Sequence, residues 1–450
     1  MIAWFVAATV SLAPAQEAAK VDFSHDIAPL IKKHCGKCHT GGKHEGDLSL
    51  DTREELLKSK AVVPGKSGES DFVKRLTSGD ADERMPAKAE PLAEKQIALF
   101  RAWIDQGLAW EPGFSFNTDR YIPPLKPRRV ELPPVRDDAT HPIDRIVVAY
   151  FEEHTVVPPP PLDDAAFLRR SSLDVIGLLP APGDVAAFLA DGDGEKRTRF
   201  VRRLLDERRA YADHWLTFWN DLLRNDYRGT GYIDGGRKQI SKWLYQSLVD
   251  NKPYDQFVRE LIRPNEDSEG FILGIKWRGR VNASQAVEVQ FSQNVSQVFF
   301  GINMKCASCH DSFIDTWKLD DAYGLAAVVA ERPLEIHRCD KATGRIAAPR
   351  FLWPELGEID GALPKADRLK QFAGLVTSAD NGRFQRTIVN RLWHRLMGRG
   401  LVHPVDVMAN RPWSEDLLDY LANYLVENHY DLKRLLEHVL TSRTYQSQCV

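Results

Sequence analysis

Between Val21 and Trp110 the apolar positions fall into two helical stripes. Phe23, Ile27, Leu30, Ile31 and His34 recur at three-to-four spacing and run straight into Cys35, which predicts a first helix ending there. Leu92, Ile97, Phe100, Trp103, Ile104 and Leu108 form a second amphipathic stripe. From Glu111 to Pro161 the pattern breaks: Pro123-Pro124, Pro127, Pro133-Pro134 and Pro158 to Pro161 fix the backbone and remove donors. Residues 111–161 therefore read as a semi-rigid linker around one helix at Ile143 to Glu153, and a domain boundary is expected there. Helical spacing returns in residues 162–332, at Ala165 to Val175, Val185 to Leu189, Thr198 to Leu205, Ala212 to Leu223, Ile240 to Asn251 and Tyr254 to Ile262. The apolar run Val295 to Ile302 precedes a turn. From Arg345 a loop-rich stretch leads to helices at Arg383 to Met397, Glu415 to Glu427 and Leu432 to Leu440, in a last domain of residues 345–450. The expected fold is mainly α: a small helical domain over 22–110, then a larger all-helical region with loop-rich insertions.

A chain of 450 residues is long enough for several cores. Its net charge of -3 and pI near 6.5 provide no basic field, so nucleic acid and anionic membrane surfaces are not implied as partners. Residues Met1 to Leu12 are largely apolar and precede Ala13-Pro14-Ala15, a small-x-small pattern that reads as a signal peptide cleaved after Ala15. The run is too short to span a bilayer and lacks a positive amino-terminal region. No later segment reads as transmembrane, so the expectation is an exported protein of the periplasm or cell envelope, not an integral membrane protein.

Four of the six cysteines sit in two short motifs, Cys35-Gly36-Lys37-Cys38-His39 and Cys306-Ala307-Ser308-Cys309-His310. C-x-x-C-H is the spacing of c-type haem attachment: two thiols bond the porphyrin and the adjoining histidine reaches the iron. Composition alone would place about 0.002 such pentapeptides in the chain, so two are not accidental. One histidine leaves the opposite face of a haem open. Met85, in the polar stretch Asp82-Glu83-Arg84-Met85-Pro86, is one of only five methionines and the expected sixth ligand. His25, His34 and His44 are its rivals. For the second motif His337, His394, Met397, His403 and Met408 are candidates, Met304 being too close in sequence. The alternative there is a Cys306-Cys309 disulfide with His310 an ordinary polar residue. Cys339 and Cys449 remain, either as a pair or as two unrelated thiols.

Asp26-Ile27-x-Pro29-Leu30, Cys35-x-x-Cys38-His39, Gly46-Asp47-Leu48, Pro64-Gly65, Ser67, Ser70, Arg84-Met85-Pro86 and Trp103-Ile104-x-x-Gly107 together resemble the Planctomycete cytochrome C family. The resemblance implies covalent haem on Cys35 and Cys38, with His39 and Met85 as axial ligands. It continues into the two uncharacterised domains that commonly follow that cytochrome. His141-Pro142-Ile143-Asp144, Arg169-Arg170-x-x-Leu173-Asp174, Gly177-Leu178-x-Pro180, His214-Trp215 and Lys252-Pro253-Tyr254-Asp255 resemble the middle one. Val389-Asn390-Arg391-x-Trp393, Gly398-Arg399-Gly400-Leu401-Val402, Tyr430-Asp431-Leu432-Lys433 and Thr441-Ser442-Arg443-Thr444-Tyr445 resemble the last. Two departures stand out: Ser312-Phe313 replaces the family's His-Pro pair after the second motif, and the chain stops at Val450, where relatives continue, so the last domain is expected to be incomplete.

The reading that follows is an exported c-type cytochrome that carries electrons to or from a redox partner protein. It holds one haem c in the amino domain, with Cys306, Cys309 and His310 as a second site. Rivals are a di-haem enzyme such as a peroxidase and a surface polysaccharide-binding module with an accessory redox domain. Arg169, Arg170, Asp174, His214, Asn390, Arg391 and Asp406 read as buried pairs that fix helix packing, in preference to a substrate pocket. No catalytic motif of a hydrolase, phosphate-binding enzyme or metalloprotease is present.

Overall fold

The computed structural model describes residues 20–448 except 118–120, 137–138, 226–230, 233–235 and 280–281. The segment read as a signal peptide and Cys449 lie outside the described residues. The chain is mainly helical and divides into two compact units, residues 1–119 and 120–450.

In the first unit, helical turns run from residue 23 to residue 39. Asp22 caps them by accepting from the amides of Ser24 and His25, at 2.9 and 3.1 Å. π-helical turns at Phe23–Ile27 and Ile31–Cys35 flank a short α segment, Ala28–Leu30. Pro29 in that segment has no amide hydrogen for the carbonyl four residues back, so the regular ladder is interrupted there. Phe23, Ile27, Ala28 and Ile31 are buried. They pack with Ile97, Phe100, Trp103 and Ile104 of the helix Glu94–Asp105, the predicted second stripe. Each of the larger side chains among them contributes about 1.5–3 kcal/mol by leaving water. Phe23 also stacks on Trp110 at 4.3 Å and meets Phe114 and Phe116 edge-on. Two shorter helices, Arg53–Lys58 and Asp71–Thr77, complete this unit.

The second unit is built from helices Pro142–Glu153, Asp164–Ile176, Pro182–Ala190, Lys196–Asp206, Arg208–Leu222, Gly236–Val249, Tyr254–Ile262, Gly270–Leu273, Val287–Phe300, Leu319–Ala327, Lys365–Val376, Gly382–Met397, Glu415–Glu427 and Leu432–Leu440. One buried apolar cluster runs from Ile143 to Tyr445, so the regions read in sequence as a middle and a last domain share a core. Strand structure among the described residues is confined to two small antiparallel pairs. Gly231–Tyr232 pairs with Lys276–Trp277, and Glu335–Arg338 with Lys341–Ile346.

Three features differ from the sequence reading. The proline-rich stretch after residue 120 is docked on its unit. Leu125 O accepts from the Gly382 amide at 2.8 Å, and Arg128 Nε donates to Asp419 at 2.7 Å. Proline leaves carbonyls without local partners, and here the helix Gly382–Met397 takes them. Second, the loop-rich stretch from Arg345 includes the helix Lys365–Val376, and a hairpin over 335–346 precedes it. Third, Leu319–Ala327 is a helix that periodicity did not single out.

The helix Gly382–Met397 is buried from Gly382 to Trp393, charged residues included. Arg386 and Asp419 are each 3 % exposed and bond at 2.7 Å, and Arg128 holds the other oxygen of Asp419. Asp419→Ala leaves the buried Arg386 guanidinium without its carboxylate and should cost about 3–5 kcal/mol, read as a loss of urea stability. Asp416→Ala, which removes an exposed partner of Arg128, should cost no more than about 1 kcal/mol. Equal losses would remove the burial argument.

His438 lies against His141 at 4.4 Å between ring centres, stacks on Tyr424 at 4.1 Å, and bonds Tyr420 Oη at 2.9 Å. Desolvation, helped by His141, pushes the His438 imidazole down to about 3. The unfolded chain therefore takes up a proton, near the ordinary value of 6.5, that the folded chain refuses until about pH 3. Stability should fall as pH drops through that window. His438→Phe should flatten the dependence of melting temperature on pH between about 6.5 and 4. A slope unchanged in the variant would assign the acid sensitivity elsewhere.

Candidate cofactor site

Cys35-Gly36-Lys37-Cys38-His39 occupies the last turns of the 23–39 helical segment, where the first stripe predicted it. Thr40 closes the end: its Oγ1 donates to Gly36 O at 2.9 Å. The chain then loops back and is tied down. The Leu50 amide donates to His39 O at 2.8 Å, and Asp51 accepts from the amides of Gly41 and Gly42 at 2.6 and 2.7 Å. This return segment also fixes the buried His39 ring, whose Nδ1 lies 3.1 Å from Leu48 O. A carbonyl only accepts, so the ring proton sits on Nδ1 and Nε2 keeps its lone pair. Metal-bound histidines are oriented by this kind of contact.

Both thiols are only partly exposed. Desolvation pushes the Cys35 thiol up to about 12. Cys38 is also raised, first by its hydrogen bond to the Glu45 carboxylate. Neither is thiolate at neutral pH, which disfavours a dithiol-exchange or thiolate-metal role for this C-x-x-C pair. Two protonated thiols beside an imidazole with an oriented Nε2 fit covalent attachment of haem c.

Met85 lies, partly buried, in the loop after the helix Asp71–Thr77, its amide donating to Arg75 O at 2.9 Å. Its rivals have other engagements. His25 pairs with Asp22 at 3.2 Å, and His34 Nε2 is 3.5 Å from Gln96 Nε2. His44 is exposed beside Asp51 and Glu55.

The second motif lies in the other unit, in a turn after the helix Val287–Phe300. The amides of Cys309 and His310 both donate to Cys306 O, at 3.0 and 3.1 Å, so the pentapeptide forms one tight turn. Cys306 and His310 are buried, and Cys309 is partly so. His310 Nδ1 is 2.8 Å from Asp311 O, and its ring packs on Phe313 at 4.4 Å. Cys306 and Cys309 are separate thiols. Cys339, at the tip of the 335–346 hairpin, donates its amide to Cys309 O at 2.7 Å, a juxtaposition that sequence separation concealed. Of the candidate distal ligands, Met408 is committed to the core: it is 2 % exposed, and Asn390 Nδ2 lies 3.5 Å from its sulfur. Met304 is equally buried.

The polar motif residues of this unit are largely structural, as the packing reading has it. Asp144 accepts from the amides of Arg443 and Thr444 and from Thr444 Oγ1, at 2.7–2.9 Å, and so ties the His-Pro-Ile-Asp motif to the Ser-Arg-Thr-Tyr motif. Tyr445 Oη donates to Asp174 at 2.7 Å, while Arg170 donates to the carbonyls of Leu396, Tyr445 and Ser447. Gly177 has φ +70°, and a Cβ there would lie 2.3 Å from His214 Nδ1, which accounts for glycine opposite that histidine. Arg391 pairs with Asp406 at 2.8 Å and caps the carbonyls of Gln297 and Val298. Arg391 and Asp406 also edge a surface cleft. Arg169 is exposed.

Among the described residues, no helix is long and apolar enough to cross a membrane. Family comparison finds Planctomycete cytochrome C at residues 35–88, followed by two proteins of unknown function, DUF1549 at 142–333 and DUF1553 at 368–450. No curated protein and no solved structure matches the chain. The chain thus carries a Planctomycete cytochrome C domain, as expected of a cytochrome c-like haem protein, and the two domains of unknown function follow it in the order that its motifs give.

Proposed function

We propose that this chain is an exported electron carrier of the periplasm or cell envelope, exchanging single electrons with a redox partner protein by outer-sphere transfer. The observation that carries the reading is the His39 ring, held by Leu48 O at the end of the helix that bears Cys35 and Cys38. Bound there, haem c supplies reversible one-electron chemistry. Cys35 and Cys38 would tether it through their thiols. His39 would offer Nε2 as a ligand, and the Leu48 contact strengthens that nitrogen as a donor by drawing on the Nδ1 proton. Met85 would offer its thioether as a further ligand, which would raise the potential above that of a bis-histidine site. Ligands fixed by packing change little between redox states, and that suits a carrier better than a catalyst. Cys306, Cys309 and His310 form a second attachment site on the same donor logic.

Protein matured with haem should keep it through acid-acetone extraction and show the weak far-red band of thioether-iron ligation. Met85→Ala should abolish that band and lower the midpoint potential. A band unchanged in the variant would transfer the role to another residue.

Pyridine haemochrome assay should give two haems per chain, falling to one in Cys306→Ala/Cys309→Ala. A ratio of one in the unaltered protein, with Cys306 and Cys309 linked to each other by mass spectrometry, would sink the second site. A high-spin second haem would move the reading from carrier to di-haem enzyme.

A further inference from the structure

A cleft of about 1060 Å³ opens on the second unit, at the upper end of the range for ligand sites. One wall is the polar face of the helix Val287–Phe300, where Gln290, Gln293, Asn294 and Gln297 recur at i, i+3, i+4 and i+7. Gln290 is occupied internally, bonded to the Ile275 amide and carbonyl at 2.9 and 2.8 Å. The other three keep capacity for a ligand. Gln293 uses its amide hydrogens on Ser284 O and Ser308 Oγ, which leaves its carbonyl oxygen. Asn294 accepts from Arg224 through its oxygen, which leaves its amide hydrogens. Gln297 makes no side-chain hydrogen bond among the described residues. Alternating donors and acceptors along one wall suit a chain of vicinal hydroxyls.

The cleft also has a sign. Its lining holds two more cationic side chains than carboxylates. Arg391 is spent on Asp406 and on backbone carbonyls. Lys305 is exposed and makes no ion pair among the described residues, and Arg395 lies exposed against His214. Phe218 and Trp277 add apolar ring surface, the usual complement to sugar faces. A few cations among several amides do not make the continuous basic stripe that a nucleic-acid backbone requires.

We infer that this cleft binds an acidic oligosaccharide, with Gln293, Asn294 and Gln297 reading its hydroxyls and Lys305 and Arg395 its carboxylates. Gln293 also touches Ser308, inside the second C-x-x-C-H motif, so the ligand sits one side chain away from that motif. The inference stands independently of whether that motif carries haem.

Full-length, haem-loaded protein titrated calorimetrically with a galacturonic acid hexamer should bind it saturably, while maltohexaose, its neutral counterpart, should bind at least tenfold more weakly. Gln297→Ala and Lys305→Ala should each weaken hexauronate binding tenfold or more without moving the melting temperature, because neither side chain is bonded within the fold. Raised salt should weaken the interaction in the unaltered protein and less so in Lys305→Ala. No saturable binding of the hexauronate, equal binding of maltohexaose, or full affinity in both variants would each overturn the inference.

Discussion

The second unit is constrained above all by a charged helix that is buried on every side from Gly382 to Trp393. Gly382–Met397 carries Arg383, Gln385, Arg386, Asn390 and Arg391, all buried. Burying a guanidinium is tolerable only when its donors are met, so each arginine dictates what lies against it. Arg386 requires Asp419 on the helix Glu415–Glu427 and the Pro124 carbonyl from the proline-rich strap. Arg391 requires Asp406 and the last carbonyls of the helix Val287–Phe300. Asn390 takes the Val402 amide at 2.8 Å and the carbonyls of Val402 and Val405 at 3.0 Å. Three segments distant in sequence are thereby registered on one helix. An apolar helix of similar volume would permit sliding; paired charges do not.

That register reaches the second cysteine motif. Arg391 fixes the end of Val287–Phe300, and Gly301 follows with φ +57°, packed so closely that a Cβ would lie 2.5 Å from Met408 Cγ. Only glycine adopts that backbone at no cost against such a neighbour. The chain therefore turns at a set point and delivers Met304 and Ala307 into the core, with Cys306 and His310 buried beside them. The first motif is placed by different means. Its histidine is oriented by a return segment whose amides and carbonyls bond the helix end, and an aromatic group around Phe23 packs against the start of the helical segment. Neither scheme is encoded in C-x-x-C-H itself.

Much of the fold was legible where apolar spacing was strong. The helices at Glu415–Glu427, Leu432–Leu440 and Tyr254–Ile262 match the predicted bounds, and the buried faces are the predicted stripes. Periodicity failed where burial does not alternate. Every residue of the strand Lys341–Ile346 is exposed, so no apolar repeat marks it. Leu319–Ala327 is buried almost throughout and shows no polar face. The docked strap was illegible for another reason: proline reports backbone stiffness, and nothing local reports that a carbonyl will be met some 260 residues later, as Pro124 O is by Arg386. The place of the first C-x-x-C-H motif at the end of a helical segment was legible, because an apolar stripe runs straight into it. The amide face of Val287–Phe300 was legible in principle, since Gln290, Gln293, Asn294 and Gln297 repeat at helical spacing.

The distribution of charge also separates structural from functional residues in a way that motif matching does not. Asp144, Asp174, Arg170, Arg386 and Arg391 belong to sequence motifs or to buried pairs, and each is bonded to partners within its own unit. A group engaged in this way has less capacity for a substrate, however prominent it looks in sequence. Groups with unspent capacity lie elsewhere: in the His39 ring, whose proton is held on one nitrogen and whose lone pair remains on the other, and in amides and cations along the cleft. The polar motif residues of the two domains of unknown function thus explain how the scaffold holds its shape, and the proposed chemistry rests instead on groups that the scaffold leaves unfinished.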